Sequence, residues 1–560
     1  MPKLYEALAE AFLAEGVDTQ FVLMGDGNMH WCTAFAKLPG VQTVHVRHEH
    51  ATVAAATAYN VATNKVAVAS VTCGPGVTQL MTALPAAVRA RLPMVVFAGE
   101  SPINAKFYNQ AIDQAPLVAA TGAKYIAAHS LPRMMDYVRE AFHVAKYERC
   151  PVVLGVPYDL QKVEYMANQP YETSAMYQPK VGRMHPDPEV LADAVERLAA
   201  AKRPIILGGR GVLWSGSRDA MIKLADRCGA LLSNTLPARG LFHDHPFGLG
   251  ITGSYFTSLG REMYESADVV LAVGTSLSYY IGHRAFFPKA FKIQLDDAPR
   301  GLRDGQAAAD LYIRSDALVG VEAMIAGLDK RLGAGTPTAA SIRSKELAHR
   351  IATEPADSEP FDLEPGVLDP REVVRAIDAV VPKDWDVVVG GGHQAYFPAQ
   401  MRGRPAERYT TVREFGAVGN GLSYALGVAA ARRQGRDGKV VLFEGDGGLL
   451  FNIQEFETLK RQGFRILICA MNDGGYGSEF HKLRADGLDD SLAVFGRPAL
   501  ENVARGFGLR GHEIRDVALI PQLFADFAAQ GDSEVWNIQI SDKVTAPVIR
   551  QTIKRGHGNM

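Results

Sequence analysis

Short apolar runs that end in glycine or polar residues alternate along the whole chain with stretches of helical periodicity. Such alternation is typical of α/β folds, in which helices cover both faces of a parallel sheet. The pattern fills three blocks, residues 1–165, 186–332 and 367–550, and we predict one domain in each. Residues 333–366 are polar and rich in proline and alanine, and they are predicted to form a linker.

The middle block contains a glycine turn between Gly208 and Gly211 that directly follows an apolar run. This turn lacks the GxGxxG spacing of a dinucleotide-binding loop. We therefore interpret the middle block as a Rossmann-like domain, and nucleotide binding there stays an alternative.

Polar residues follow the predicted strands of the first block. Asp26 comes after the first apolar run, Glu49 stands between His48 and His50 after the second, and Thr72 follows the third. Ligands of open parallel sheets bind at the carboxyl ends of the strands, so these residues are candidates for a site. For Glu49 the alternative is a carboxylate that only stabilises the start of the next helix.

The third block contains a similar arrangement around one strand–helix–strand unit. We predict a strand, a tight turn, a helix and a second strand at residues 440–443, 445–448, 453–462 and 465–471. Asp446 lies in the glycine turn, and Asn472 and Asp473 follow the second strand. Glycines let backbone N–H groups approach a phosphate, and carboxylate or amide oxygens are ligands that Mg²⁺ accepts. The alternative is a turn whose aspartate only caps a helix, but the second polar pair favours a metal site.

Composition argues against several classes of protein. The formal net charge is −2, which gives no electrostatic reason to bind nucleic acid or an anionic membrane. The five cysteines are scattered without a CxxC motif, as is typical of reduced thiols in an intracellular protein. The N-terminal segment has the pattern of an amphipathic helix, and no apolar run approaches the roughly 18 residues of a membrane span. We therefore predict a cytoplasmic protein with no nucleic-acid or membrane partner.

The turn around Asp446, followed by the pair at 472–473, resembles the signature of enzymes that bind thiamine diphosphate (ThDP). Residues 47–76 resemble the N-terminal pyrimidine-binding domain of ThDP-dependent 2-oxo acid decarboxylases and acetohydroxyacid synthases. Residues 390–394 and 415–421 resemble segments of the diphosphate-binding domain of that family. The resemblance covers nearly the whole chain. It implies two ThDP-binding-fold domains that flank the Rossmann-like domain, with ThDP and Mg²⁺ as cofactors.

The same resemblance implies roles for residues on the pyrimidine side of the cofactor. Glu49 would hydrogen-bond N1′ of the aminopyrimidine, and the carbonyl of Gly416 would meet its 4′-amino group. Val418 stands where the family has Met or Leu as the apolar wedge that bends the cofactor. Because the family places the cofactor between two subunits, we expect a homodimer at minimum and a homotetramer as the fuller assembly.

On the diphosphate side, the resemblance implies that Asp446, Asp473 and the carbonyl of Gly475 hold Mg²⁺, with Asn472 as the alternative to Asp473. The further expected cofactor contacts are Thr72, Gly391, Gly392, His393, Gln394, Gly445, Gly447, Gly448 and Tyr476.

Three residues besides Glu49 are candidates for catalysis. Asp26 and Glu479 match positions where pyruvate decarboxylase-like members carry acidic residues, and Gln110 matches a glutamine of acetohydroxyacid synthases. The adjacent histidine pair of pyruvate decarboxylases is missing. The segment that follows the metal ligands in acetohydroxyacid synthases is also missing, and so are the arginines of their middle domain. These two absences argue against FAD binding.

The implied reaction is decarboxylation of a 2-oxo acid, followed by protonation to an aldehyde or by carboligation to a 2-hydroxyketone. The alternatives are an acetolactate synthase-type carboligase, a lyase or hydrolase that cleaves an acyloin or a diketone, a flavin or nicotinamide oxidoreductase, and an idle protein that binds ThDP without catalysis. His30, His283 and His481 are interpreted as surface or packing residues.

Overall fold

The computed structural model describes residues 1–166, 169–282, 286–298, 302–303, 306–433 and 439–555; His283 lies outside these ranges. Within them the chain forms three six-stranded sheets. All strand pairs within these sheets are parallel, which confirms the predicted α/β class. No helix in the described ranges is both long enough and apolar enough to cross a membrane.

The first sheet has the strand order β2-β1-β3-β4-β6-β5. Its strands are β1 (Thr19–Val22), β2 (Gln42–His45), β3 (Ala67–Val71), β4 (Met94–Glu100), β5 (Lys124–Ala127) and β6 (Pro151–Pro157). Its helices are α1 (Leu4–Ala14), α2 (Met29–Ala36), α3 (Glu49–Thr63), α4 (Pro75–Thr78), α5 (Ala83–Arg89), α6 (Gln114–Ala120), α7 (Met134–Glu148) and α8 (Tyr158–Gln161). Because the strands are parallel, Asp26, Glu49 and Thr72 all follow strands at the same edge of the sheet.

The middle sheet has the order β14-β11-β10-β7-β8-β9, and a two-stranded antiparallel pair, β12-β13, lies outside it. The strands are β7 (Pro204–Gly208), β8 (Leu231–Asn234), β9 (Gly248–Ile251), β10 (Val269–Val273), β11 (Phe291–Asp296), β12 (Leu302–Arg303), β13 (Gln306–Ala307) and β14 (Leu311–Arg314). The helices that follow α8 are α9 (Pro188–Ala200), α10 (Arg210–Ser215), α11 (Arg218–Cys228), α12 (Ser258–Ser266), α13 (Tyr279–Gly282), α14 (Ala317–Leu332) and α15 (Lys345–Thr353).

The third sheet has the order β16-β15-β17-β18-β20-β19. Its strands are β15 (Asp386–Val389), β16 (Tyr409–Thr410), β17 (Val440–Gly445), β18 (Ile466–Asn472), β19 (Arg510–Ile514) and β20 (Glu534–Gln539). Its helices are α16 (Pro370–Val380), α17 (Tyr396–Ala399), α18 (Gly421–Arg433), α19 (Asp446–Phe451), α20 (Glu455–Gln462), α21 (Gly477–Ala485), α22 (Leu500–Gly506), α23 (Ile520–Ala529) and α24 (Pro547–Arg555).

The first and third sheets share one topology. When the strands are numbered within each sheet, both read 2-1-3-4-6-5, whereas the middle sheet reads 3-2-1-4-5-6. The latter is the strand order of a Rossmann fold. This comparison confirms the prediction of two related domains that flank a Rossmann-like domain.

Helices α3 and α18 join the first and third domains within the chain. Their alanines and aliphatic residues belong to one hydrophobic core that spans both sheets. A Cβ on Gly427 of α18 would come within 2.0 Å of the carbonyl oxygen of Ala55 of α3, so the glycine is required for this close approach. The small side chains along α3 therefore position the N-terminus of this helix, where Glu49 lies, against the third domain.

Two segments differ from the sequence prediction. The residues expected to form a tight turn at 445–448 instead begin α19, because Gly445 is extended and the carboxylate of Asp446 favours a helix N-terminus. The following helix, predicted at 453–462, consequently begins at Glu455. The predicted linker at 333–366 contains α15, which Ser344 caps by accepting a hydrogen bond from the backbone N–H of the buried Leu347.

Candidate active site

Two carboxylates meet at the carboxyl ends of β17 and β18. Asp446 is almost fully buried (1% exposed), and its Oδ2 accepts a hydrogen bond from the backbone N–H of Gly474 at 2.9 Å. Its Oδ1 is buried as well, and no donor among the described residues reaches it. Burial raises the pKa of Asp446 to about 6, and burial together with the carboxylate of Asp446 raises the pKa of Asp473 well above its ordinary value. A hard cation between these carboxylates would stabilise their charged forms and so lower both pKa values.

Asn472, the alternative metal ligand, directs its amide nitrogen elsewhere. Its Nδ2 donates to the carbonyl oxygen of Pro498 at 3.1 Å and to Oδ1 of Asn537 on β20 at 2.9 Å. The side chain is fully buried, and its Oδ1 has no partner in the part of the chain that the structure describes. Asn472 is thus held against β20, whereas Asp473 interacts electrostatically with Asp446.

Gly475 and Tyr476 border the same region. Gly475 forms an isolated bridge with Val494, and the N–H of Tyr476 donates to the carbonyl of Ala493 at 2.8 Å. A Cβ on Gly447 would lie 2.8 Å from ring carbon Cε1 of Tyr476. The structure therefore brings Gly447 of α19 into contact with the residue that follows the predicted metal ligands.

The turn after β15 carries Gly391, Gly392, His393 and Gln394. Gly392 has a φ of +117°, which favours glycine, and Nε2 of Gln394 donates to the carbonyl of Gly391 at 2.9 Å. Nε2 of His393 accepts a hydrogen bond from the backbone N–H of Ala546 at 2.9 Å. Burial lowers the pKa of His393 well below its ordinary value. The imidazole is therefore neutral, with its proton on Nδ1, and it secures the C-terminal segment beside the turn.

Glu444, which the sequence analysis did not single out, lies at the centre of the third domain's glycine turns. Its fully buried carboxylate accepts hydrogen bonds from the backbone N–H groups of Gly421 at 2.9 Å and Gly445 at 3.2 Å. Cβ atoms on Gly390 or Gly448 would come within 2.0 or 2.6 Å of the carboxylate oxygens. Burial raises the pKa of Glu444 to about 8. The only sequence signal was an acidic residue at the end of an apolar strand.

The segment that carries Gly416 and Val418 contacts the turn after β15. Gly416 has a φ of +77°. A Cβ on Gly391 would lie 3.3 Å from Cγ1 of Val418, so these two residues are neighbours. Arg413 donates to the carbonyls of Gly390 and Gly392 at 3.4 and 3.3 Å, which fixes the start of the segment against that turn.

In the first domain the structure places Thr72 and Cys73 side by side against the amide oxygen of Gln110. Oγ1 of Thr72 accepts from the backbone N–H of Gly27 at 3.0 Å, and Sγ of Cys73 donates to Oε1 of Gln110 at 3.3 Å. Burial raises the pKa of the Cys73 thiol. The nearby Asp26 is exposed, and its charge adds to the rise in the pKa of Cys73. Sequence reasoning missed Cys73 because a single buried cysteine carries no motif.

The remaining candidates occupy different environments. Glu479 is exposed on α21, whereas His481 on the same helix is buried, with Nδ1 3.2 Å from Oγ1 of Thr545. Burial lowers the pKa of His481 to about 4. His30 packs between the rings of Tyr5 and Tyr158, with centroids 5.5 and 5.7 Å away.

The sequence matches three family descriptions in order along the chain. They are "Thiamine pyrophosphate enzyme, N-terminal TPP binding domain" at residues 2–117, the central domain at 191–324, and the C-terminal TPP binding domain at 390–535. Together the matches cover most of the chain. The protein therefore belongs to the thiamine pyrophosphate enzyme family, which confirms the resemblance found in its motifs.

Several curated proteins are similar over nearly their full lengths. The probable 2-ketoarginine decarboxylase of Pseudomonas aeruginosa is 29% identical over 542 residues, which cover 94% of this chain and 92% of that protein. The probable acetolactate synthase large subunit of Methanococcus aeolicus is 26% identical, with coverage of 91% and 87%. The acetolactate synthase large subunit of Parasynechococcus marenigrum is 27% identical, with coverage of 92% and 84%.

Proposed function

We propose that this protein is a ThDP- and Mg²⁺-dependent enzyme that decarboxylates a 2-oxo acid and then either releases an aldehyde or joins the product to a second carbonyl compound. The observation that carries the proposal is the facing pair of Asp446 and Asp473, beside glycine-lined turns at the carboxyl edge of the third sheet. When bound, ThDP supplies the nucleophilic carbon and the electron sink that loss of CO₂ requires.

Asp446, Asp473 and the carbonyl of Gly475 would hold the metal ion. Mg²⁺ commonly binds one or two carboxylates and completes its shell with phosphate oxygens and water. Among the described residues, no group of three or more His, Cys, Asp or Glu side chains is arranged to hold a metal. A site with two carboxylates therefore suits Mg²⁺ whose remaining ligands come from a diphosphate. Asn472 stays the alternative ligand, because its buried Oδ1 has no partner among the described residues, while its amide nitrogen bonds to Asn537 and Pro498.

The glycine turns would receive the diphosphate. Without a Cβ, glycine lets backbone N–H groups approach phosphate oxygens closely, and the start of α19 adds a favourable helix N-terminus. The residues assigned to this cradle are Gly391, Gly392, His393, Gln394, Gly445, Gly447, Gly448 and Tyr476.

The pyrimidine end of the cofactor would meet a different set of residues. The Glu49 carboxyl would hold a proton at N1′ and so favour transfer of a proton through the 4′-nitrogen. The carbonyl of Gly416 would orient the 4′-amino group, and Val418, which lies against Gly391, would support the bend between the two rings. Thr72 would border this end from the first domain.

The site would be completed by a second copy of the chain. Six large apolar side chains near the site are between 37% and 55% exposed: Phe415, Val418, Leu450, Phe451, Tyr476 and Phe495. Soluble proteins rarely leave such groups uncovered together unless another molecule packs there. We assign this face to a homodimer, in which Glu49 serves the cofactor of the partner subunit, and expect a homotetramer as the larger assembly.

Asp26, Gln110 and Glu479 would act on the substrate. Asp26 and Glu479 are exposed carboxylates that can deliver protons, whereas Gln110 can hydrogen-bond a substrate oxygen. Because the relatives are described as a 2-ketoarginine decarboxylase and as acetolactate synthases, 2-ketoarginine and pyruvate are the first donors to test.

The deciding experiment measures CO₂ release and identifies products by mass spectrometry. Protein reconstituted with Mg²⁺ and ThDP is given pyruvate or 2-ketoarginine, each with and without an acceptor aldehyde, and then an acyloin and a diketone. We expect an aldehyde or hydroxyketone only when ThDP is present, and almost none from Glu49→Gln. Equal turnover without ThDP would contradict the proposal. ThDP binding without turnover of any 2-oxo acid, acyloin or diketone would favour the idle binding protein.

A further inference from the structure

We infer that the third domain of each chain positions that chain's own Glu49 through two anchors, one on each side of it. The first joins Arg47 to Glu455 and Glu457 of α20, and the second joins His50 to Asn420 at the start of α18. This inference rests on the proposed function, because it assigns Glu49 to the cofactor. Glu455, Glu457 and Asn420 are thus positioning residues, which act through Arg47 and His50.

The first anchor holds the connection between β2 and α3. Oε1 of the buried Glu455 accepts a hydrogen bond from the backbone N–H of Arg47 at 2.8 Å, and Oε2 of Glu457 accepts from Nε of Arg47 at 2.5 Å. Two further residues of α20 reach the carbonyl oxygen of His45: Nη2 of Arg461 donates to it at 2.6 Å, and Oγ1 of Thr458 lies 3.5 Å from it.

Glu455 is the buried member of this anchor, and we expect its loss to have a larger effect than the loss of Glu457. The Glu455 side chain is fully buried, and its Oε2 accepts a hydrogen bond from Oγ1 of Thr458 at 2.7 Å. Loss of the carboxylate would leave the N–H of Arg47 without its acceptor in a partly buried position. The Arg47–Glu457 pair is 45% and 32% exposed, so solvent screens it and its loss should have a smaller effect.

The second anchor lies one residue beyond Glu49. Nε2 of His50 hydrogen-bonds to Oδ1 of Asn420, and Nδ2 of Asn420 donates to the hydroxyl of Tyr424 at 3.0 Å. Asn420 is buried and lies two residues after Val418. The segment that presents the proposed apolar wedge therefore also holds the helix that begins with Glu49.

The geometry distinguishes positioning from ordinary domain packing. The contact between α3 and α18 is mainly apolar and lies further along both helices, with one hydrogen bond from Nη1 of Arg432 to the carbonyl of Ala62 at 3.4 Å. The two anchors instead bond to Arg47 and His50, which lie within two residues of Glu49. Loss of an anchor should therefore change proton transfer at the cofactor more than cofactor affinity, which depends on the glycine turns and on Asp446.

The test compares Glu455→Ala with Glu455→Gln, whose amide can still accept from Arg47 and donate to Thr458. Asp532→Asn is the matched control. Asp532 forms an exposed ion pair with Lys460, which lies on α20 like Glu455, and this pair does not reach the first domain. The first readout is backbone amide exchange in the cofactor-free, full-length protein. In Glu455→Ala we expect exchange at residues 45–50 to rise about tenfold, with the glutamine variant and the control close to wild type.

The second readout is the rate at which the C2 proton of bound ThDP exchanges with solvent, measured by NMR beside the dissociation constant of ThDP. We expect exchange to slow about tenfold in Glu455→Ala while the dissociation constant changes less than about threefold. In Glu457→Gln we expect C2 exchange to slow as well, but by less. This variant replaces Glu455→Ala in the test if the alanine variant does not fold.

The results test the anchor formed by α20 separately from the proposed ThDP-dependent function. Unchanged amide exchange at 45–50 in folded Glu455→Ala, or in Glu457→Gln if the alanine variant does not fold, would overturn the anchor, as would slowing of C2 exchange to the same extent in Asp532→Asn. Failure of the wild-type protein to bind ThDP would overturn the proposed function, and amide exchange alone would then decide whether α20 holds this segment.

Discussion

Replacement of Asp446 by Asn should stabilise the cofactor-free protein while it removes the proposed metal site. Burial raises the pKa of Asp446 from 3.8 to about 6. Between about pH 4 and pH 6 the unfolded chain therefore loses this proton while the folded chain keeps it. The free energy of unfolding falls as the pH rises through this window and stays lower above it.

The pKa values set the size of the effect. The difference between 3.8 and about 6 corresponds to about 3 kcal/mol of destabilisation at pH 8. An asparagine stays neutral, and its oxygen can still accept from the backbone N–H of Gly474, so the variant should recover much of this energy. It also removes the carboxylate that raises the pKa of Asp473.

The assay is the thermal unfolding midpoint of the cofactor-free protein at pH 5 and pH 8, with Asp532→Asn as a control for an exposed carboxylate. We expect Asp446→Asn to unfold at a higher temperature than wild type, with the larger difference at pH 8. A variant that is less stable than wild type at pH 8, or a difference that does not depend on pH, would refute the electrostatic reasoning.

Three other predictions follow from the same structure. Glu49→Gln should bind ThDP within a few fold of wild type, yet lose about 10²-fold to 10⁴-fold in turnover, measured as CO₂ release. Gly427→Ala should lower the thermal midpoint, because its Cβ would lie 2.0 Å from the carbonyl oxygen of Ala55; overpacking of this kind costs about 1–3 kcal/mol. Gly531→Ala, whose Cβ meets nothing within 4 Å, is the matched control and should leave the midpoint unchanged. Chelation of divalent ions should release ThDP, and added Mg²⁺ should restore binding measured by calorimetry, whereas ThDP affinity that is unchanged by chelation would contradict the proposed metal.

The sequence predicted the three α/β blocks because buried parallel strands are short apolar runs with polar residues at their ends. The motif around Asp446 and the pair at 472–473 indicated the family, which the comparisons confirmed. Strand order was not accessible from the same pattern, since the periodicity of a strand carries no information about its neighbour in the sheet.

Other features depend on contacts between segments far apart in the sequence. In the sequence, Glu455 is an ordinary charged residue of an amphipathic helix. The fold brings it into contact with Arg47, which lies 408 positions away along the chain. Glu444 likewise acquires its surroundings from the loops at Gly390 and Gly421. The error at 445–448 has a local cause: glycines suggested a turn, but an acidic residue after an extended glycine also begins a helix.

Calorimetric titration of the cofactor-free protein with ThDP, in the presence and absence of Mg²⁺, is the decisive test of the proposed cofactor site. We expect binding that requires the divalent ion, that is lost in Asp446→Ala and in Asp473→Ala, and that survives in Asp532→Asn. Wild-type protein that binds no ThDP with Mg²⁺ present, or that binds it equally well after both carboxylates are removed, would contradict the assignment of this site.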